Sequence, residues 1–93
     1  LGSTMIEREL IVSNKLGLHA RATAKLVQVL SGHRCSATLI AKGREVNAKS
    51  IMGVMLLAAG YGTPVVLRVD GEDEAAAVDA VVALFERRFD EEA

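Results

Sequence analysis

The chain has 93 residues, of which 51% are hydrophobic, enough for one domain with a single core of modest stability. Aromatic residues make up only 3% and the formal net charge is −1, so the core must be built from Val, Leu, Ile, Ala and Met, and a nucleic-acid surface of stacked rings and clustered cations is excluded. A lone cysteine, Cys35, rules out an internal disulfide and fits a reducing cytosol, and the longest apolar stretch, Val54 to Gly60, is too short to span a bilayer.

Leu1-Gly2-Ser3-Thr4 ahead of Met5 reads as an expression remnant, leaving residues 5–93 as the domain; no signal peptide is apparent. Ile6 to Val12 predicts a strand, with Leu10 and Val12 on one face and Glu7 and Glu9 on the other. Gly17 falls where the chain must turn out of that strand. A helix follows from about Ala20 to Leu30. Its apolar stripe is Ala20, Ala24, Val27 and Leu30 with Leu26 beside it, and Ser31-Gly32 is its stop, glycine being suited to a left-handed residue past a helix end.

Cys35, Ala37 and Leu39 alternate with Ser36 and Thr38 as a second strand, which makes Cys35 a small buried strand residue. Lys42-Gly43 predicts a tight turn, and Arg44 to Ala48 returns antiparallel with Val46 and Ala48 inward. Ser50 suits the N-cap of a short helix reaching about Leu57. Gly60 and Gly62 end it, and Pro64 to Val69 forms a fourth strand with Val65, Leu67 and Val69 on one face. The last helix, about Glu72 to Phe89, carries the stripe Val78, Val81, Val82, Phe85 and Phe89. Glu72, Asp73 and Glu74 fall in its first turn and Arg87 and Arg88 in its last, each set matching the helix dipole. The order β-α-β-β-α-β-α, with alternating strands, predicts an α+β fold: a four-stranded antiparallel sheet covered on one face by three helices and open on the other.

The most informative segment is Asn14-Lys15-Leu16-Gly17-Leu18-His19-Ala20-Arg21. It sets His19 at the first turn of a helix, directly after a strand, with Arg21 two residues on. The unpaired backbone N–H groups of a helix start and the positive end of its dipole make an anion site. An imidazole nitrogen at the mouth of that site can carry a phosphoryl group whose oxygens meet the N–H donors, here those of Ala20, Arg21 and Ala22. Arg21 adds a fork of charged donors. The constellation reads as a phosphohistidine site, although a histidine at a helix start is also compatible with an ordinary solvated cap.

Gly17-Leu18-His19-Ala20-Arg21 resembles the active-site signature of HPr, the histidine phosphocarrier family of the bacterial phosphoenolpyruvate-dependent phosphotransferase system. Asn47-Ala48-Lys49-Ser50-Ile51-Met52-Gly53-Val54-Met55 resembles that family's second signature, around its regulatory serine. Asp70-Gly71-Glu72-Asp73-Glu74-Ala75 resembles the start of its last helix. The resemblance covers roughly residues 5 to 90 and implies an open-faced β-sandwich. The Asn14-to-Gly17 lead-in and the Leu84-Phe85…Phe89-Asp90-Glu91 ending look closer to NPr, the nitrogen-related branch, than to sugar-transport HPr; the sequence leaves the branch and the acceptor open.

By that resemblance, phospho-Enzyme I passes a phosphoryl group to His19, which passes it to a histidine on a IIA-type protein, with Arg21 assisting. The chain is then a cytoplasmic phosphocarrier modified stoichiometrically, not a stand-alone catalyst. It is expected to need no cofactor and no metal, and to act as a monomer away from membranes. Ala20, Arg21, Lys25, Lys49, Ile51, Met52 and Met55 match the surface that meets Enzyme I and IIA proteins; Met52 is expected to be exposed, while Ile51 and Met55 fit core or surface equally. Ser50 matches the position modified in some bacteria by HPr kinase/phosphorylase. The family usually has proline where this chain has Ala22, a change worth about 0.4–1 kcal/mol through the unfolded state.

Charge is unevenly spread: residues 1–50 hold eight Lys/Arg against three Asp/Glu, and residues 51–93 hold three against nine. A basic half suits an acidic partner. The rival reading is a regulatory protein-binding module acting through Ser50 phosphorylation, against which His19 and Arg21 stand at the expected spacing. A hydrolase is unsupported, since no residue is placed as base for a serine, and His33 has no companion ligand and no evident role.

Overall fold

The computed structural model describes residues 5–91; the expected remnant Leu1–Thr4 lies outside them. The elements follow the expected order: β1 (Ile6–Ile11), α1 (Ala20–Ser31), β2 (Ser36–Ala41), β3 (Arg44–Asn47), α2 (Ile51–Leu56), β4 (Pro64–Asp70) and α3 (Glu74–Glu86), closed by a 3-10 turn at Arg88–Asp90. The strands form one antiparallel sheet in the order β1-β4-β2-β3. Val65, Leu67 and Val69 of β4 and Ala37, Leu39 and Ala41 of β2 are buried beneath the helices. The outer face is polar at its centre, where Arg68 of β4 reaches Glu7 of β1 at 2.8 Å and, over β2, Glu45 of β3 at 3.5 Å. Lys42 and Gly43 both have positive φ, 54° and 75°, as a two-residue turn matched to strand twist requires.

Ser50 caps α2 as expected, its hydroxyl accepting the Gly53 N–H at 3.0 Å. Ser50→Ala is expected to lower stability by about 0.5–2 kcal/mol, read as a shift in urea midpoint with an unchanged slope.

Four expectations are corrected. The inward face of α1 is Ala22, Thr23, Leu26 and Leu30, while Ala20 and Ala24 are exposed and Val27 is half-buried. Leu26 and Leu30 carry the apolar volume and set the helix rotation, alanine being indifferent to it. Thr23 is tolerated inside because its hydroxyl donates to the Leu18 carbonyl at 3.1 Å. Gly32 is not left-handed (φ −81°, ψ 0°); α1 ends in tightened i→i−3 bonds, and His33 Nδ1 pairs with the Val29 carbonyl at 2.9 Å, so His33 helps finish the helix. Cys35 sits just ahead of β2 and is half-buried, and that burial pushes its thiol pKa up.

The fourth correction concerns α3, which starts at Glu74 and ends at Glu86, short of Phe89. Asp73 does not cap it; its carboxylate accepts the Arg34 N–H at 2.7 Å, while buried Glu74 accepts the Gly71 N–H at 3.0 Å. Arg87 and Arg88 lie past its end. Arg88, Phe89 and Asp90 all take left-handed φ, 54°, 56° and 62°. Such residues cost about 1–2 kcal/mol each. Offsetting contacts are one local and one distant: Phe89 is fully buried with its ring 4.8 Å from that of Phe85, four residues back, and Lys25 Nζ donates to the Phe89 carbonyl at 2.8 Å. The chain thereby leaves the helix and folds as a strap across the start of α1.

Candidate active site

His19 is the N-cap residue of α1, with extended backbone (φ −76°, ψ −178°) and no side-chain capping bond. The first helical bond runs from the Thr23 N–H to the His19 carbonyl at 2.9 Å. The N–H groups of Ala20, Arg21 and Ala22 precede it and are the donors of the helix start. The imidazole is 29% exposed.

Gly17 is what brings the ring there. Its φ is +73°, and a Cβ on it would lie 2.7 Å from the Gly60 Cα and 2.8 Å from the Ala59 carbonyl oxygen. Two stretches of backbone therefore meet at van der Waals distance, joined by the Leu18 N–H to the Ala59 carbonyl at 2.9 Å. That contact docks the His19 loop onto the segment after α2.

Two site residues escaped the sequence reading. Glu91, on the strap, places Oε2 2.6 Å from His19 Nε2. Asn14 is fully buried, and its amide nitrogen donates to Glu91 Oε1 at 3.0 Å and to the Gly17 carbonyl at 2.7 Å. The Asn14 bond, with help from His19 and Arg21, holds the Glu91 carboxyl below its ordinary pKa against the opposing effect of burial. A depressed folded-state pKa stabilises above the unfolded value, ~4.3 for glutamate, and that stabilisation fades as pH falls through the lower folded value. The strap is therefore expected to loosen in acid below about pH 4, seen as earlier amide exchange at residues 88–91 than in the sheet. Nothing in the spacing of positions 14, 19 and 91 signals this cluster, because only the strap's turn creates it.

Lys15, Leu16, His19, Ala20, Arg21, Lys25, Asp90 and Glu91 line a depression of about 800 Å³. Arg21 is exposed at its rim. Lys25, expected at a partner surface, lines this depression and donates to the strap, at 2.8 Å to the Phe89 carbonyl and 3.4 Å to Asp90 Oδ2. Lys49 lies elsewhere: its Nζ donates to the His33 carbonyl at 3.0 Å, at the C-terminal end of α1. Twelve residues of helix separate that end from His19, about 18 Å. Ser50 stands with Lys49 at that far end. Ile51 and Met55 are exposed, and Met52 is 79% exposed, continuing through Leu56. Leu16 and Tyr61 extend the exposed apolar set on loops, and the sequence reading missed both.

Residues 6–87 match the PTS-HPr family, described as the PTS HPr component phosphorylation site. A phosphocarrier protein HPr of Xylella fastidiosa strain 9a5c is 66% identical over 88 residues, spanning 95% of this chain and 99% of that one. The chain belongs to the HPr phosphocarrier family. A phosphocarrier protein NPr of Shewanella violacea is 39% identical over 88 residues, covering 95% and 97%, so both branches occur among the relatives. HPr-C-His from Thermoanaerobacter tengcongensis superposes with a TM-score of 0.91 at 41% identity, over 95% of this chain and 99% of that one. The HPr fold expected from the sequence is thus the fold found. Among the described residues no group of His, Cys, Asp and Glu could hold a metal, and no helix is long and apolar enough to cross a membrane.

Proposed function

We propose that this HPr-family chain takes a phosphoryl group from phospho-Enzyme I on His19 and passes it to a histidine of a IIA-type protein. The observation that carries this reading is the state of the ring. His19 is partly exposed at a helix start, Nε2 is engaged by Glu91, and Nδ1 has no hydrogen-bond partner among the described residues. Nδ1 is therefore the nitrogen left open to an incoming phosphoryl group, in a residue that caps a helix whose first N–H donors are those of Ala20, Arg21 and Ala22. A relay needs matched, not maximal, stabilisation, because each ~1.4 kcal/mol of excess shifts the transfer equilibrium tenfold. A helix start in contact with water supplies about 0.3–2 kcal/mol, which suits a group that must leave again.

Arg21 neutralises the phosphoryl oxygens as donor and acceptor histidines converge in line. Arg21→Ala is expected to leave the melting temperature within a degree or two, since an exposed side chain with no ion pair among the described residues is removed. Transfer should slow by about tenfold to a hundredfold, the worth of a hydrogen bond to a charged group. An unchanged single-turnover rate removes Arg21 from the mechanism.

The docking surface proposed for both partners is Ala20, Arg21, Lys25, Lys49, Ile51, Met52 and Met55, in which flexible methionines suit unrelated surfaces. Ser50 is a second proposed modification site, for an HPr kinase/phosphorylase where the host has one. A phosphate at the head of α2 would set close to two negative charges beside that apolar row and weaken encounter with an acidic Enzyme I. The test of the relay is to mix the chain with phosphoenolpyruvate, magnesium, Enzyme I and a IIA protein and follow phosphate onto the IIA protein. Absence of transfer at stoichiometric concentrations overturns the reading.

A further inference from the structure

The strap ends on a hydrogen-bonded row that neither the helix start nor the sheet requires. Asn14 donates to Glu91 Oε1, and Glu91 Oε2 meets His19 Nε2 at 2.6 Å. Three successive left-handed residues bring Glu91 there, and its side chain is only 13% exposed. Asn14 has one sensible amide orientation: reversing it would turn its carbonyl oxygen onto both the Gly17 carbonyl and the Glu91 carboxylate. The orientation that spares this repulsion leaves Asn14 Oδ1 buried without a partner among the described residues. A buried, unpaired carbonyl is a standing cost, so Asn14 is held for what its nitrogen does, which is to tie the Gly17 carbonyl and the Glu91 carboxylate together.

We infer that Glu91, oriented by Asn14, is a positioning residue that keeps the proton of His19 on Nε2 throughout the phosphoryl relay. This rests on the proposed relay through His19. A carboxylate can only accept, so the 2.6 Å contact requires a hydrogen on Nε2, and in the neutral ring the lone pair is then on Nδ1. In the loading step that lone pair attacks phosphorus; the N–P bond to the donor histidine of Enzyme I breaks, and its electron pair returns to the donor nitrogen. Nε2 keeps its proton, the ring becomes an N-phosphorylated imidazolium, and the Glu91 carboxylate lies against the new positive charge. In the unloading step the Nδ1–P bond breaks as the IIA histidine attacks phosphorus. The electron pair returns to Nδ1, and neutral imidazole leaves with its Nε2 proton in place. Neither step moves a proton. An aspartate behind a catalytic histidine acts by the same logic, setting the tautomer and opposing the imidazolium charge.

The test uses Glu91→Gln, which keeps shape and removes charge, in the full chain with 15N-labelled histidine. In the parent, Nδ1 of His19 should resonate as a bare nitrogen and Nε2 as an N–H; in Glu91→Gln the two forms should mix, with the melting temperature held within a few degrees. Single-turnover transfer to the IIA protein should slow roughly ten- to hundredfold, with KM for the partners unchanged because Glu91 lies under the ring. Glu91→Ala, which cannot hydrogen-bond at all, should show the same mixing. The inference is overturned if either variant keeps the parent's tautomer ratio, or if Glu91→Gln relays at the parent's rate. A parent chain that accepts no phosphoryl group overturns the relay itself, and the labelled spectrum of the unphosphorylated protein tells that failure apart.

Discussion

Gly17→Ala should lower the melting temperature by about 10 °C or more and slow phosphoryl acceptance as well. Two independent penalties meet at this position. An alanine at φ +73° is in the left-handed region, which costs about 1–3 kcal/mol when the surroundings enforce it. The new methyl group would also stand 2.7 Å from the Gly60 Cα and 2.8 Å from the Ala59 carbonyl oxygen, both backbone atoms that no rotamer change can move aside. Relief requires the loops to separate, which breaks the Leu18-to-Ala59 hydrogen bond and moves His19 with it. Gly60→Ala is the control on the other side of the contact: a Cβ there meets nothing within 4 Å. Thermal melts of the two variants should differ by most of the Gly17 effect. Equal melts would mean that the close approach does not position the site.

His19→Gln is the second large effect, and it falls on chemistry rather than stability. The native imidazole makes no capping bond to α1, so the helix start loses nothing when it is removed. A glutamine amide can still donate toward Glu91, which keeps the strap in place. Folding should therefore be preserved, with an urea midpoint close to the parent's. Phosphoryl acceptance should vanish, since an amide nitrogen has no available lone pair to attack phosphorus. Partial acceptance by this variant would mean that another residue carries the group.

The fold was legible because its signals are local. Alternation in β2 and β4, the Lys42-Gly43 turn and the Ser50 cap each need only a few neighbouring residues, and each appears where the sequence places it. The rotation of α1 was misjudged because alanines at 20, 22 and 24 look alike on paper; only the sheet beneath selects Ala22. The end of α3 was missed for a related reason. Residues 87–90 have no helix breaker, and what ends the helix is the burial of Phe89 together with the Lys25 bond to its carbonyl, made from 64 positions away in the chain.

The site divides the same way. His19 and Arg21 are visible as a motif, and the helix start gives that motif a physical use. Glu91 and Asn14 are invisible, since a carboxylate near the end of an acidic segment reads as a solvated tail until the strap folds over. Lys25 and Lys49 were read as part of a partner surface from their place in the motif segments; what the spacing does not show is that each also donates to a backbone carbonyl, Lys25 to Phe89 and Lys49 to His33. The basic half of the chain is thus partly committed to holding itself together.

The most direct measurement is to load the parent chain with phosphoenolpyruvate, magnesium and Enzyme I, then map the phosphate by mass spectrometry under alkaline conditions. One acid-labile phosphate per chain on His19, discharged when a IIA protein is added, is the expected result. Phosphate on His33 or on a serine, or a chain that stays unmodified beside a fully charged Enzyme I, would contradict it.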